Sequence, residues 1–549
     1  MTDKRRPIYL LLFVLALVVN FAGINADFFA DDPGLYASIA KLIAQKNDWL
    51  QLYTYQTDWL DKPHFPFWMA ALSFKLFGVS AWAYRLPALF FFMLGVGYTW
   101  LFARRFYTKE IAALAVLILM TAQHIIISNI DVRAEPYLMA LVIGSIYHIA
   151  RYNTKGTAKH LLLAALLTAC AIMTKGIFVI VAIYGALLGQ MIAQKKYLEV
   201  LKPKWLLLYL LTLLFTLPEF YALYIQFDQH PEKVVFGRTG VSGVRWFLWD
   251  SQFGRFVNNG PIRQKKSGDV FFFAHTMIWT FMPWCLLFYY AIYSNLKNLV
   301  RKIKLPEHYT LSGGLLLLLL FSLSRFQLPF YTNIIFPLFA VITANYAIAP
   351  LGKAAGKYRT IVLGLFMVAL PLVIIVIHLL AAPGSNFLFI TGTLIFGITA
   401  ILIITRLKEQ SLRVFMLTCC MALFANFYMN TVFFPFLASY NAQVTAARYA
   451  NSNFKGTDLY SLRLSNNSFQ FYSNRPVQYI SLDDFKRFVP QGRALFYASQ
   501  ASVDYLRQQG AAFKIVQTFT DYPQENILPK FINAKTREQV LSKAYLISK

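Results

Sequence analysis

Long apolar runs alternate with short polar turns along this chain, and the alternation continues from the N-terminus to about residue 435. A helix needs roughly 20 mostly apolar residues to cross a bilayer, because only a helix satisfies its own backbone hydrogen bonds in hydrocarbon. The pattern therefore predicts a mainly α, polytopic membrane protein with about 13 transmembrane helices. Their predicted starts lie near residues 8, 84, 111, 137, 160, 176, 205, 270, 309, 329, 358, 385 and 413.

The pattern changes near residue 436, where long apolar runs give way to short alternating pieces. Residues 458–464, 477–481 and 494–498 have the composition of strands, and residues 503–509 have that of a helix. We therefore predict two domains. Residues 1–435 would form a transmembrane domain with large outer loops at 27–83 and 226–269, and residues 436–549 a small soluble α/β domain.

Composition and charge support this division and orient the chain. Hydrophobic residues make up 58% of the 549 positions and charged residues 14%, as expected for repeated membrane spans. The net charge of +27 comes from small basic groups in every second turn, beginning with Lys4, Arg5 and Arg6 before the first span. Because basic turns stay on the cytoplasmic side, we predict a cytoplasmic N-terminus, a periplasmic C-terminal domain and no nucleic-acid partner.

The first outer loop concentrates residues that could carry chemistry at the membrane surface. It contains Asp31, Asp32, Asp61 and Lys62 among many aromatic residues. A carboxylate could act as a general base toward a hydroxyl or bind a divalent cation, and a lysine could hold a phosphate. The alternative interpretation is that these are solvated loop residues.

Other outer turns add further candidates. Asp131 and Glu135 lie in a very short turn after the third run, and Lys175 lies in a turn where the positive-inside bias would not favour it. Arg255 belongs to the second long loop, and Tyr331 precedes the tenth span. A salt bridge for the acids and a snorkelling position for the lysine are the structural alternatives.

Spaced motifs across most of the chain resemble the bacterial arm of the GT-C membrane glycosyltransferases. That family includes the aminoarabinose transferases of lipid A and the protein mannosyltransferases. Three departures, Pro33, His64 and Gln327, favour a different sugar or acceptor. The similar segments are Asp31-Asp32-Pro-Gly-Leu-Tyr36, Asp61-Lys62-Pro63, Arg85-Leu86-Pro87, Thr174-Lys175-Gly176 and the stretch from Arg325 to Pro337.

The resemblance implies an inverting transferase at the periplasmic face of the bacterial inner membrane. Its donor would be a polyprenyl (undecaprenyl) phosphate sugar, and its acceptor lipid A, another glycan or a protein. A divalent metal ion near the lipid phosphate is also implied, and we expect a monomer. The expected catalytic residues are Asp32, with Asp31 as the alternative, and Asp131 with Glu135; those expected at the donor phosphate are Lys62, Arg255, Tyr331 and Lys175; those expected at a metal are Asp61 and Asp250.

A secondary transporter or lipid flippase is the competing interpretation, since many helices and scattered charges suit either class. Transporters generally show inverted repeats and binding sites near the bilayer midplane. We find no convincing repeat between the two halves, and the charges lie at one membrane surface. These observations favour the transferase.

Overall fold

The computed structural model describes residues 5–55, 57–264, 268–384, 387–522 and 526–549. Lys4 and the predicted span start at residue 385 lie outside these ranges. The chain is mainly helical up to about residue 440. The helices of this part are α1 Arg6–Phe21, α2 Asp31–Lys46, α3 Phe65–Phe77, α4 Ala81–Phe106, α5 Lys109–Thr121, α6 Gln123–Ile130, α7 Glu135–Lys155, α8 Ala158–Lys175, α9 Ile180–Ala193, α10 Pro203–Leu223, α11 Gly243–Arg245, α12 Ser251–Val257, α13 Phe272–Thr280, α14 Cys285–Val300, α15 Tyr309–Leu323, α16 Phe336–Ala347, α17 Lys353–Ala381, α18 Phe387–Arg406, α19 Gln410–Tyr428 and α20 Phe434–Ala438.

A helix lies at each of the predicted span positions, but many of these helices are short or broken. Within the described ranges, seven helices are long and apolar enough to cross a membrane. An eighth crossing results if α5 and α6, which meet at an angle of 56°, are counted together. The chain is therefore an integral membrane protein, and the count of thirteen crossings stays a prediction.

The break between α5 and α6 is held by two hydrogen bonds to the segment between α13 and α14. Trp284 donates from its indole Nε1 to the Thr121 hydroxyl at 2.9 Å, and the Gln123 amide donates to the Met282 carbonyl at 2.9 Å. These bonds satisfy polar groups that the bend would otherwise leave unpaired in an apolar surrounding. Asp131 is the first residue after the end of α6, so the bend helps to set its position.

Arg85 on α4 joins the outer ends of several segments. Its side chain is fully buried and donates to the carbonyl of Ile130 at 2.8 Å, of Ile24 at 3.0 Å and of Ala26 at 2.5 Å. These carbonyls lie at or just beyond the ends of helices, where they have no helical partner. One guanidinium therefore satisfies all three. This ties the start of the first outer loop to the end of α6.

The C-terminal residues form a five-stranded mixed sheet in the order β2-β1-β3-β5-β4. β1 pairs in parallel with β2 and β3, whereas β5 is antiparallel to both β3 and β4. Alternate strand residues pack on the two faces, one beneath α21 and the other beneath α24. The elements are α21 Ala442–Asn453, β1 Asp458–Ser461, α22 Asn467–Tyr472, β2 Val477–Tyr479, α23 Leu482–Phe485, β3 Ala494–Ser499, α24 Gln500–Gln508, β4 Lys514–Asp521, α25 Pro529–Ile532 and β5 Ser542–Ser548.

Candidate active site

A cavity of about 660 Å³ lies where several helix ends meet the loop of residues 27–83 and the C-terminal residues. Its volume suits a small ligand or part of a larger one. The structure brings nine of the ten predicted site residues to its wall, although they come from segments far apart in the sequence. These nine are Asp31, Asp32, Asp61, Lys62, Asp131, Glu135, Lys175, Arg255 and Tyr331.

One part of the wall is a cationic group formed by Asp61, Lys62 and Arg255. Lys62 contacts one carboxylate oxygen of Asp61 at 2.5 Å, and Arg255 on α12 bonds the other. Burial favours the neutral acid, but the two cations outweigh it and hold the pKa of Asp61 below its usual range. Two positive charges and one negative charge leave this group a net charge of +1, which suits an anion.

A second part of the wall is an acidic group in which Arg133 bridges two carboxylates. Its guanidinium lies 2.7 Å from Asp32 on α2 and 3.0 Å from Asp131. Burial raises the pKa of the Asp131 carboxyl, although Arg133 opposes that effect. This group has a net charge of −1 when both acids are ionised. Asp31, the neighbour of Asp32, accepts a hydrogen bond from Asn467 at 2.8 Å.

Tyr36 on α2 connects the two groups electrostatically. Burial, and then the nearby Asp32 and Asp61, raise the pKa of its hydroxyl well above the usual value. Tyr36 and the residues of both groups line the same cavity, so the cationic and acidic groups face one space.

Lys175 and Glu135 form a third, buried ion pair, with exposed side-chain fractions of 3% and 1%. The Lys175 ammonium also lies 4.0 Å from the ring centre of Tyr331, and the Arg133 guanidinium lies 4.4 Å from that of Phe330. Aromatic faces attract cations, most strongly where water is excluded. Phe330 and Tyr331 therefore line the cavity beside two of its cations.

A second cavity, of about 330 Å³, shares Lys175, Arg255 and Tyr331 with the first. Apart from these, most of its lining is apolar and comes from α9, α12 and α15. This arrangement places a hydrophobic surface directly beside the cationic group. The apolar lining consists of Ile177, Phe178, Ile180, Val181, Phe253, Phe256, Leu320, Phe321 and Phe326.

The structure does not bring Asp250 to the other predicted residues. Asp250 lies apart from the residues that line the cavity, and its half-exposed side chain is 3.5 Å from Arg245. Both carboxylate oxygens of Asp61 already contact cations. In the described ranges, no three His, Cys, Asp or Glu side chains are grouped to hold a metal ion. The predicted pairing of Asp61 with Asp250 is therefore not formed, and the divalent metal that the resemblance implied stays a prediction.

Two of the departures from the family motifs have structural roles. His64 is fully buried; its Nδ1 lies 3.0 Å from Glu219 and its Nε2 lies 3.2 Å from the Leu50 carbonyl. Gln327 is also buried, and its amide bonds the backbone of Asp269 at 2.8 and 2.9 Å. His64 holds the loop that follows Lys62, and Gln327 holds the loop that follows Arg255.

The expected site residues did not include three residues that the structure places in contact with the site or its supporting loops, namely Arg133, Arg85 and Asn467. Arg133 stands between Asp131 and Glu135, so the alternation of charge around the four-residue turn 131–134 was a usable signal. A lone arginine at the mouth of an apolar span was a signal for Arg85. Asn467 lies 436 positions from Asp31, and nothing in its local sequence indicates that contact.

Parts of the chain that carry these site residues are similar to known proteins. Residues 61–221 match the family described as "Dolichyl-phosphate-mannose-protein mannosyltransferase". An uncharacterised protein of Aquifex aeolicus (strain VF5) is 25% identical over 346 residues, which cover 62% of this chain and 63% of the relative. The undecaprenyl phosphate-alpha-4-amino-4-deoxy-L-arabinose arabinosyl transferase of Enterobacter sp. (strain 638) is 24% identical over 323 residues, covering 58% of this chain and 55% of the relative. The matches thus span less than two thirds of the length of these curated relatives.

The likeness to a solved structure extends over almost the whole chain. ArnT from Cupriavidus metallidurans, bound to undecaprenyl phosphate, superposes with a TM-score of 0.76 at 16% identity, covering 98% of this chain and 97% of ArnT. The chain therefore shares the fold of ArnT. The residues that match the family model, 61–221, include Asp61, Lys62, Asp131, Glu135 and Lys175. The comparisons give no support to a transporter or flippase.

Proposed function

We propose that this protein is an inverting glycosyltransferase that moves a sugar from a polyprenyl-phosphate donor to an acceptor hydroxyl. The observation that carries the proposal is one cavity whose wall joins a group of net charge +1 to a group of net charge −1, beside an apolar cavity. A donor with a phosphate and a long prenyl chain needs a cation next to a hydrophobic surface. The curated relative that transfers an arabinosyl group and the undecaprenyl phosphate bound to ArnT support the same choice.

The cationic group would receive the donor phosphate. When the bond between the anomeric carbon and the phosphate oxygen breaks, the phosphate gains negative charge. Lys62 and Arg255 lie where that charge develops, and preorganised cations stabilise it without reorganisation during the reaction. Lys175 and the Tyr331 hydroxyl complete this side of the site.

The acidic group would activate the acceptor. Asp32 accepts the hydroxyl proton while the acceptor oxygen forms its bond to the anomeric carbon from the opposite side, so the configuration inverts. Arg133 contacts both carboxylates and so holds Asp32 and Asp131 in one place. Glu135 acts indirectly by holding Lys175.

The apolar cavity would take the first prenyl units of the donor. Each buried CH₂ contributes about 0.8 kcal/mol, so a few units add more to binding than the sugar's exposed hydroxyls. Donor selection would therefore depend mainly on lipid and phosphate. The acceptor is lipid A, another glycan or a protein, and the reaction takes place at the periplasmic face of the inner membrane.

The test is transfer of radiolabelled sugar from an undecaprenyl-phosphate donor pool in membranes that contain the intact protein, Asp32→Asn or Lys62→Ala. Glu232→Gln is the matched control, since Glu232 is an exposed acid of the second outer loop. We expect both site variants to lose at least about 100-fold in rate at equal protein level, and the control to keep full activity. Full activity in both site variants would contradict the residue roles. Absence of transfer by the intact protein to lipid, glycan and protein acceptors would contradict the function.

A further inference from the structure

Helix α2, which carries Asp31 and Asp32 in its first turn, lies against α22 of the C-terminal domain. Asn467, the first residue of α22, donates from Nδ2 to Oδ2 of Asp31 at 2.8 Å. The Asn467 carbonyl accepts a hydrogen bond from the Ser38 hydroxyl at 3.2 Å. One residue of the C-terminal domain thus contacts α2 both at its acidic turn and two turns further on.

The other end of α22 is fixed by Lys41 of α2, which is only 4% exposed. Its ammonium donates to the carbonyls of Gln470, Phe471 and Ser473 at 3.2, 3.0 and 2.7 Å. Carbonyls at a helix C-terminus have no helical partners and carry partial negative charge, so a buried cation there satisfies three acceptors at once. The two helices are therefore held together at both ends.

Between these ends the backbones approach closely at Gly34. A Cβ atom at this position would lie 2.7 Å from the Ser468 hydroxyl oxygen and 2.9 Å from the Ser468 backbone nitrogen. The segment before α2 is also held, because Asp27 pairs with Arg448 at 2.5 Å and the Phe28 amide donates to the Tyr472 hydroxyl at 3.1 Å. Contacts with the C-terminal domain therefore run from residue 27 to residue 41.

We propose that the C-terminal domain positions the acidic turn of α2, and that Asn467 is a positioning residue for Asp32 that acts through Asp31. In this arrangement Asp31 is an anchor whose carboxylate is bonded across the domain boundary. Asp32, bonded to Arg133, is the acid that meets the acceptor. The catalytic part of this inference rests on the proposed transferase function.

The test begins with Asn467→Asp, which keeps the side-chain shape but replaces the amide donor with a carboxylate that faces Asp31. We expect kcat to fall about tenfold while the donor KM changes less than about twofold, because the acid is displaced and the donor site is not. Adding Asp31→Asn restores the hydrogen bond in the opposite direction, with the new amide at position 31 donating to the new carboxylate at position 467. The double variant should therefore regain most of kcat. Asn453→Asp is the control, since Asn453 bonds only within α21 as far as the described contacts show.

Two results would overturn the proposal. Unchanged kcat in Asn467→Asp would show that the contact positions nothing, and a double variant as slow as Asn467→Asp would show that Asp31 acts by its own charge. Hydrogen exchange of residues 27–36 in the same proteins needs no substrate. Faster exchange in Asn467→Asp and its reversal in the double variant would support the positioning contact, even if the intact protein transferred no sugar and the proposed function failed.

A second variant keeps the proposal testable if Asn467→Asp does not fold. Gly34→Ala should push α2 from α22 and lower kcat, with the donor KM nearly unchanged. Gly492→Ala is its control, because a Cβ there meets nothing within 4 Å. Equal kcat in the two alanine variants would contradict the proposal.

Discussion

Replacing Asp61 with asparagine separates the charge of the cationic group from its shape. In the structure, the Asp61 carboxylate lies between Lys62 and Arg255, and its side chain is 13% exposed. The Asp61→Asn variant keeps the volume but raises the net charge of the group from +1 to +2. We expect two opposite effects, a less stable free protein and tighter binding of a lipid phosphate.

The magnitudes follow from burial and Coulomb's law. Removing one partner of a buried ion pair costs about 3–5 kcal/mol, and partial exposure of all three side chains reduces this to about 2–3 kcal/mol. An added unit charge about 5 Å from a phosphate gains about 3 kcal/mol at an effective dielectric of 20. Screening by solvent halves that gain, which leaves about 1.4 kcal/mol, or tenfold tighter binding.

The assay is titration of the purified, detergent-solubilised protein with undecaprenyl phosphate, followed by tryptophan fluorescence and by thermal unfolding. Asp58→Asn is the matched control, because Asp58 lies in the same loop as Asp61 but away from the cavity lining. This variant breaks the ion pair that Asp58 forms with Lys233 at 2.9 Å. The control should lose stability without gaining affinity. Unchanged or weaker binding of the lipid phosphate by Asp61→Asn would refute the assignment of this group to the donor phosphate.

Three further predictions concern the surrounding pairs. Lys175→Met leaves Glu135 buried and unpaired, so the free energy of unfolding measured by chemical denaturation should fall by about 3–5 kcal/mol. Adding Glu135→Gln should recover most of the loss, and no loss in the single variant would contradict the pairing. Arg133→Gln should lower kcat about tenfold or more while donor affinity stays within about twofold, as measured by initial rates, and a rise in donor KM alone would contradict its role on the acceptor side. Arg85→Lys replaces the planar guanidinium with an ammonium that cannot reach three carbonyls, so it should destabilise the protein by about 2–4 kcal/mol. An unchanged unfolding temperature would argue that Arg85 does not hold these segments together.

Most of the residues that line the cavity as charged groups were predictable because they violate the local pattern of a membrane protein. Asp32, Lys62 and Lys175 are charges at helix mouths, where desolvation makes a charge without purpose costly. What the sequence could not supply was their pairing. Whether Lys175 contacts Glu135 or Asp61 depends on how distant helices pack, and neither residue's neighbours encode that choice.

The fold was predictable at the level of helix positions and less so at the level of membrane crossings. Apolar runs locate α4 and α17 well, because burial in lipid or protein requires the same residues. A bend such as that between α5 and α6 depends on bonds from Trp284 and Met282, so a run of apolar residues does not reveal whether it crosses straight or breaks. Asp250 lies in the expected loop but away from the other predicted residues for a related reason. The position of a residue in a loop does not determine where its side chain lies.

The close packing of α2 against α22 limits how this protein can be recombined with its relatives. An exchange that swaps the C-terminal domain alone would set a foreign surface against Gly34, where a Cβ would meet Ser468, and against Lys41, which donates to three carbonyls of the native domain. The exchangeable unit is therefore discontinuous in the sequence and consists of residues 27–46 together with the C-terminal domain. Chimeras designed on that boundary should retain activity, whereas those cut at residue 435 should not.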